Sequence, residues 1–243
     1  MMHPNTVFWD LYARCYDSIA TLHPYQALML KVVEKIPKGT YRLLDAGCGT
    51  GNVLVAIKKT HRDMKCIGID FSPAMLGYAK KKLPLVYFRQ LSLNEKLPFP
   101  DKYFDVVTCI KVLFAVPDPE YTIKELKRVL KDGGTLIVES PKEGWRMVPI
   151  LKEHIKQVGF LKTLPALLRL LILATFNLPI FKRGKAQVYH FMTKDKMEHL
   201  IETNVESVYA AQDWFGVYVK KECISTDRIK ITPLKTDEYC AGY

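Results

Sequence analysis

Apolar and polar positions alternate in blocks between residues 41 and 140. Five short apolar runs are typical of buried strands, at residues 41–46, 64–70, 85–91, 104–110 and 135–140. Stretches with helical spacing lie between them. One begins near Thr50, one follows the N-cap Ser72 with Pro73 at the first helical position, and one covers residues 118–130. This repeated strand–helix alternation predicts a parallel sheet with helices on both of its faces.

The N-terminal residues precede this alternating region and have a different pattern. Residues 5–20 place aromatic and polar residues at helical spacing, which predicts one amphipathic helix. A second helix is expected over residues 24–36, and Pro37, Lys38 and Gly39 end it.

The alternation also stops after residue 140 and resumes only after Thr193. A helix is expected over residues 193–203, followed by two apolar runs at 205–212 and 214–221. Because the link between these runs is very short, we expect them to be antiparallel neighbours in the sheet. The tail from about residue 225 to 243 shows no clear period.

Composition places the chain among globular proteins. It has 243 residues, of which 49% are hydrophobic and 25% charged, enough for one α/β domain with a lid or at most two small domains. Its six cysteines include no CxxC pair, so no zinc or other metal site is expected, and their scatter is typical of a reduced, cytoplasmic protein. The net charge of +11 indicates either an anionic partner or a lysine-rich solvated surface.

The stretch LLDAGCGTGN, residues 43–52, carries the first indication of chemistry. A glycine-rich turn at the carboxyl edge of a parallel sheet lets a ligand approach the backbone, because no Cβ is in the way. Asp70 ends the next strand, where a carboxylate can accept hydrogen bonds from both hydroxyls of a ribose. The two features together predict a nucleoside-like ligand.

The glycine spacing also distinguishes between two kinds of nucleoside-like ligand. A dinucleotide site would follow GxGxxG, but Asn52 occupies the sixth position of that pattern. Asp45, just before the loop, would repel a pyrophosphate and would suit a positively charged amino group. A cationic ligand without phosphate is therefore favoured over a nicotinamide dinucleotide.

These residues resemble a known family. LLDAGCGTGN is similar to the first motif of the class I S-adenosylmethionine-dependent methyltransferases, and GIDFS to their second. The stretch from LPFPDKYFDVVTCIKV through TLIVES resembles the small-molecule, type 11 branch, so that residues 40 to 140 are covered. The resemblance implies a Rossmann-like seven-stranded sheet of order 3-2-1-4-5-7-6 with strand seven antiparallel. It also implies one domain over 1–243, with a helical cap at 1–38 and a helical lid at 141–192.

The resemblance implies a cofactor site as well. Gly47, Cys48 and Gly49 would back the methionine part, with Asp45 near its amino group. Asp70 would hold the ribose. The adenine contacts would be Phe71 and Met75, with the carbonyl of Ile110 at the amino-acid end. Family members usually carry an aspartate where this chain has Leu93, so either Asn94 replaces that contact or backbone contacts over Ser92–Asn94 remain.

Methyl transfer needs mainly an in-line, dry arrangement of the acceptor and the sulfonium. Tyr12 and Tyr16 could face the cationic centre, because aromatic rings attract cations, or could pack in the core. A general base is needed only for an acceptor with a proton of high pKa. His154, Tyr189 and His190 lie in or beside the lid and are candidates for that role, although a lone histidine is more often structural.

Residues 141–196 predict the acceptor class. They hold eleven Lys and Arg against three Asp and Glu, and the apolar run 164–181 lies among them. Interrupted by Arg169, that run is too short for a membrane span. It predicts either a lid packed over the active site, which we favour, or an interfacial helix on an anionic membrane. Both predict a small, hydrophobic or lipid-like acceptor.

Three other functions remain as alternatives. A nucleic-acid methyltransferase or RNA-binding protein would explain the basic charge, but the sequence after strand four lacks an NPPY-like clamp, and no aromatics interleave with the basic residues. Nucleic acid is therefore not expected as a partner. The second, a membrane module without chemistry, conflicts with the intact glycine loop. The third is the nicotinamide oxidoreductase that the glycine spacing disfavours. The sequence does not fix the oligomeric state.

Overall fold

The computed structural model describes residues 6–164, 171, 175 and 189–221. Its strands along the chain are β1 Arg42–Ala46, β2 Lys65–Asp70, β3 Tyr87–Gln90, β4 Phe104–Ile110, β5 Leu130–Pro141, β6 Val205–Val208 and β7 Asp213–Val219. They form one sheet in the order β3-β2-β1-β4-β5-β7-β6. The first five strands run parallel, and β7 pairs antiparallel with both β5 and β6. The predicted strand order and the antiparallel seventh strand are confirmed.

The α-helices with both ends in the described part of the chain are α1 Thr6–Tyr16, α2 His23–Glu34, α3 Asn52–Thr60, α4 Pro73–Lys82, α5 Pro119–Val129, α6 Met147–Val158 and α7 Lys194–Ile201. Side-chain caps fix three of the starts. Ser72 accepts a hydrogen bond from the Met75 amide, and Asp118 accepts one from the Tyr121 amide. Thr193 does the same for α7. Each cap satisfies an amide that has no partner inside its helix.

The helices cover both faces of the sheet and so create two apolar cores. On one face, side chains of α2, α3 and α4 pack against Leu43, Val106 and Ile137. On the other, α5 and α7 pack against alternate residues such as Leu44 and Val107. Successive strand residues point to opposite faces. The near-continuous apolar runs in the sequence are therefore what a sheet buried on both sides requires.

The N-terminal segment differs from its prediction. The single helix expected over residues 5–20 is wrong, because α1 ends at Tyr16 and residues Asp17–Thr21 form a 3-10 turn. At that point the Asp17 carboxylate accepts hydrogen bonds from Thr50 Oγ1 at 2.6 Å, Lys82 Nζ at 2.7 Å and Asn52 Nδ2 at 3.2 Å. These bonds tie the chain to α3 and α4, and it turns there instead of continuing straight.

The start of β5 also differs from its prediction. The sequence predicted a strand only from residue 135, but β5 already begins at Leu130, which pairs with Phe104 before the register shifts to Val106 and Thr135. The extra residues form a bulge that hydrogen-bonds with Lys220. The strand predicted over 205–212 ends at Val208, and Tyr209–Gln212 turn into β7. The other bounds agree with the prediction within two residues.

The predicted lid is described only in part. Its first helix is α6, residues 160–164 are also helical, and an isolated bridge pairs Lys142 with Met192. Most of the apolar run 164–181 lies outside the described residues, as does the tail beyond residue 221. None of the described helices is long and apolar enough to cross a bilayer.

Candidate active site

The glycine loop joins β1 to α3 at the carboxyl edge of the sheet. The amides of Gly47 and Cys48 both donate to the Ile69 carbonyl at 2.8 Å, which anchors the loop on β2. Gly47 has φ +74°, and a Cβ there would lie 2.4 Å from a methyl carbon of Val112. Gly49 has φ +51°. The backbone conformation and the packing therefore both require glycine at position 47.

Asp70, at the end of β2, fixes the loop from the other side. Its Oδ2 accepts a hydrogen bond from the Gly49 amide at 2.8 Å, and its Oδ1 accepts one from the Ser72 amide at 2.9 Å. Burial raises the pKa of this carboxyl to about 6, although the hydrogen bonds from backbone amides oppose the rise. The carboxylate is thus held rigidly beside the glycines, with lone pairs left for a hydroxyl-bearing ligand.

Asp45 is the second acid of the loop region and is almost fully buried. Its Oδ1 accepts a hydrogen bond from Thr108 Oγ1 at 2.7 Å, but its Oδ2 has no hydrogen-bond partner among the described residues. Burial raises the pKa of Asp45 to about 7, and the nearby charge of Asp70 adds to the rise. A buried carboxylate with an unused oxygen is unfavourable unless a cationic ligand compensates it.

A pocket opens at this edge of the sheet, between the glycine loop and α1. Its lining is Trp9, Tyr16, Gly47, Gly49, Asp70, Phe71, Met75, Leu93, Ile110, Lys111, Val112, Ala115 and Val116. The cavity volume is about 80 Å³, which has room for only a few water molecules. Because Trp9 and Tyr16 come from α1, this helix closes one side of the pocket.

The structure brings most of the predicted cofactor residues to this pocket. Eight of them line it, and among these is Tyr16, which was also a candidate for catalysis. Five lie nearby without lining it: Tyr12, Asp45, Cys48, Ser92 and Asn94. Cys48 is a buried thiol within the loop, and the Ser92 hydroxyl accepts a hydrogen bond from the Asn94 amide at 3.2 Å.

Tyr12 and Tyr16 pack against each other, with ring centroids 5.5 Å apart. Burial raises the pKa of both hydroxyls above the ordinary range. A phenol with a raised pKa keeps its proton at neutral pH, so Tyr16 is suited to donate a hydrogen bond or to present its ring to a cation, and is unsuited to act as a base.

The structure does not bring the predicted histidines to this pocket. His154 is buried on α6, and its Nδ1 accepts a hydrogen bond from the His23 amide at 3.0 Å, which joins α6 to α2. The Nε2 of His190 lies 3.1 Å from the Pro117 carbonyl, and this histidine lines a separate groove between α5 and α7. Tyr189 is buried against Phe114, with ring centroids 5.8 Å apart.

A cluster of three buried charges lies beside the pocket, and the sequence had not included it in the site. Lys111 follows β4, and its Nζ lies 2.5 Å from Asp213 Oδ2 and 3.3 Å from Glu139 Oε1. The Lys111 amide also donates to Glu139 Oε2 at 2.9 Å. A signal existed in part, because Lys111 and Glu139 stand at the carboxyl ends of adjacent strands.

The electrostatic surroundings favour the charged form of Lys111 and the protonated form of Glu139. Burial by itself lowers the pKa of Lys111, but the charges of Asp213 and Glu139 outweigh that effect and raise the pKa above its ordinary value. Burial and the neighbouring Asp213 raise the pKa of Glu139 well above its ordinary value. The ammonium therefore stays protonated at neutral pH, and Glu139 holds a proton far more readily than an exposed carboxyl does.

The backbone at Lys111 is also unusual, with φ +58°. Left-handed backbone in a residue other than glycine costs about 1–2 kcal/mol. Such strain persists where the surroundings fix the residue, and it concentrates at functional sites.

Methyltransferases are among the known proteins that this chain resembles. Residues 44–138 match the family model described as "Methyltransferase domain". A ubiquinone/menaquinone biosynthesis C-methyltransferase of Geotalea daltonii is 30% identical over 152 residues, 59% of this chain and 61% of that protein. A ubiquinone biosynthesis O-methyltransferase of Proteus mirabilis is 26% identical over 156 residues, 61% and 62% of the two chains. The chain spans about half the length of several other curated relatives that it matches.

Solved structures agree on the fold. A putative S-adenosyl-L-methionine-dependent methyltransferase from Methanococcus maripaludis has a TM-score of 0.60 with 17% sequence identity, covering 92% of this chain and 98% of that one. At this level of identity the likeness concerns the fold alone.

Proposed function

We propose that this chain transfers a methyl group to a small apolar acceptor. The premise is that residues 44–138 form a class I S-adenosylmethionine-dependent methyltransferase domain. The observation that carries the proposal is the pair of buried acids around the glycine loop. Asp70 is fixed by two backbone amides, and Asp45 keeps one carboxylate oxygen without a partner among the described residues.

These residues fit the cofactor that the domain family uses. Gly47 and Gly49 leave the backbone open, Asp70 suits the ribose hydroxyls, and Asp45 suits the ammonium of the methionine part. Phe71 and Met75 offer apolar contact to the adenine. When bound, S-adenosylmethionine supplies a methyl group on a sulfonium centre. The chain's own residues then have to orient the acceptor, exclude water and accept any proton that the acceptor releases.

An apolar acceptor is supported from two directions. Most of the residues that line the pocket are apolar, with Trp9, Ala115 and Val116 among them. The names of two relatives also refer to the biosynthesis of quinones, which are apolar ring compounds. An alkyl-substituted hydroquinone is therefore the acceptor class to test first.

Contact with an anionic membrane is a second part of this proposal, because such acceptors partition into lipid. Phe160 and Leu161 are exposed by 58% and 78% just after α6. Lys152, Lys156 and Lys162 lie in the same stretch of chain. Exposed apolar side chains flanked by lysines suit an anionic lipid surface.

The test of the activity is transfer of a tritiated methyl group from S-adenosylmethionine to alkyl-hydroquinones presented in vesicles. The proposal expects labelled product to extract into organic solvent and to be absent without protein. Labelled product from RNA under the same conditions, with none from hydroquinones, would contradict it.

A further inference from the structure

Two buried polar atoms beside the Lys111–Glu139–Asp213 cluster lack a hydrogen-bond partner among the described residues. They are Oδ1 of Asp213 and the hydroxyl of Tyr209. Both side chains are more than nine-tenths buried. Folded proteins almost always satisfy such groups, with protein atoms, ordered water or a ligand, so two in one cluster indicate a position where a polar group from outside the chain can bind.

The side chain of Lys111 joins the cluster to the cofactor pocket. Lys111 lines that pocket, and its ammonium contacts both carboxylates. The same ammonium lies 3.9 Å from the centroid of the Tyr209 ring. A molecule that enters the pocket beside the glycine loop therefore meets the cluster at Lys111.

The donors and acceptors of the cluster select one kind of ligand group. The free oxygen of Asp213 needs a donor, whereas the Tyr209 hydroxyl and the Lys111 ammonium can donate to an acceptor. A hydroxyl both donates and accepts, so it satisfies all three. A ligand ammonium would be repelled by Lys111 and has no lone pair for it, and a ligand carboxylate would be repelled by Asp213.

Aromatic side chains surround this polar centre. Tyr25 packs against Tyr209 with ring centroids 6.3 Å apart, and Tyr12 packs against Tyr16 at 5.5 Å. These rings come from α1, α2 and the turn before β7, so the polar centre has aromatic walls. Offset and edge-on contacts between rings are favourable, which suits an aromatic ligand.

We propose that Lys111, Asp213 and Tyr209 bind a phenolic hydroxyl of the acceptor, and that Asp213 takes its proton during methyl transfer. In this step the O–H bond breaks and the proton moves to Oδ1 of Asp213. The oxygen lone pair forms the new bond to the methyl carbon, and the electrons of the broken carbon–sulfur bond stay on sulfur. Lys111 and the Tyr209 hydroxyl stabilise the developing negative charge on oxygen. This inference rests on the proposed function and adds the acceptor group and the proton acceptor to it.

The test compares two probes on the full chain by calorimetry. The protein is first saturated with S-adenosylhomocysteine, and this titration by itself decides whether the proposed cofactor site exists. Hexylresorcinol, which carries two phenolic hydroxyls, and its dimethyl ether are then titrated separately. Each lost hydrogen bond is expected to weaken binding about tenfold, so the ether should bind at least that much more weakly than the phenol.

Two variants separate ligand binding from folding. Tyr209→Phe removes a hydroxyl that has no partner among the described residues, so a purely structural role predicts unchanged or higher stability. The proposal predicts a loss of about tenfold in hexylresorcinol affinity. Asp213→Asn keeps an oxygen for Lys111 but removes the proton acceptor, and it should abolish methylation of the phenol. Lys127→Met is the matched control, because Lys127, like Lys111, lies over a tyrosine ring, that of Tyr218, and has no contact with the cluster.

The outcomes are distinct. Phenol binding that exceeds ether binding, and that falls in Tyr209→Phe but not in Lys127→Met, supports the proposal. Equal binding of both probes, no binding of either to the loaded protein, or a preference that survives both cluster variants overturns it. Failure to bind S-adenosylhomocysteine at all would contradict the proposed function instead.

Discussion

Replacing Asp45 with asparagine should stabilise the ligand-free protein while weakening the cofactor site. Burial raises the pKa of Asp45 from 3.8 to about 7. A rise of this size corresponds to about 4 kcal/mol, at 1.36 kcal/mol for each tenfold change in proton affinity. Asparagine keeps an oxygen that can accept the hydrogen bond from Thr108, and it carries no charge to bury.

The sign of the effect follows from proton linkage. The folded state binds the Asp45 proton more tightly than the unfolded state does. The folded state therefore loses stability as the pH rises from about 4 to about 7, and the full penalty is present above pH about 7. Asparagine removes this dependence. The variant should gain about 2–4 kcal/mol over the wild-type protein near pH 8 and nearly nothing near pH 4.

Urea unfolding at several pH values measures this difference. The exposed Asp63 gives the matched control, because Asp63→Asn should change the free energy of unfolding by less than about 0.5 kcal/mol at any pH. Asp45→Asn should also bind S-adenosylmethionine more weakly, because asparagine has no carboxylate to face the ammonium of this ligand. A stability difference that does not depend on pH, or a loss of stability near pH 8, would refute the reasoning.

Two further predictions concern the glycine loop and the lid. Gly47→Ala should lose about 2–5 kcal/mol of unfolding free energy from left-handed strain and overpacking, and adding Val112→Ala should restore part of it. Gly39 is the control, because it also has positive φ but a Cβ there would have nothing within 4 Å. Gly39→Ala should therefore lose only the unfolding free energy that comes from backbone strain. Equal losses at both sites would disprove the packing argument. Deleting residues 161–182 should abolish vesicle binding or turnover, and survival of both would contradict the proposed lid. Phe160→Ser with Leu161→Ser should reduce binding to anionic vesicles, whereas Leu85→Ser, at a residue 99% exposed elsewhere, should not; equal effects would exclude a specific membrane surface.

The sequence predicted the alternating part of the fold well, because every strand there except the edge strand β3 is an apolar run buried on both faces by neighbouring helices. The cap at Ser72 acts within three residues, so the sequence alone reveals it. The end of α1 could not be predicted in this way. It depends on Asp17 meeting Lys82, and contacts that are distant in sequence leave no trace in local periodicity.

The site also divides into local features, which the sequence predicts, and contacts between distant residues, which it does not. The glycine loop and Asp70 are local motifs, and most of the residues expected around them line one pocket. The Lys111–Asp213 contact joins residues 102 positions apart, and only the antiparallel pairing of β5 with β7 places Asp213 beside Lys111. His154 is the converse case. Its residue type suggested a base, but its ring nitrogen accepts a hydrogen bond from the His23 amide.

Calorimetric titration of S-adenosylmethionine into the wild-type protein and Asp70→Ala tests the central claim most directly, with NADH as the control ligand. The account predicts micromolar binding of S-adenosylmethionine alone to the wild-type protein. In Asp70→Ala the binding should be strongly weakened while the fold stays intact. Unchanged affinity in Asp70→Ala, or tighter binding of NADH than of S-adenosylmethionine, would contradict the assignment of this edge of the sheet as the cofactor site.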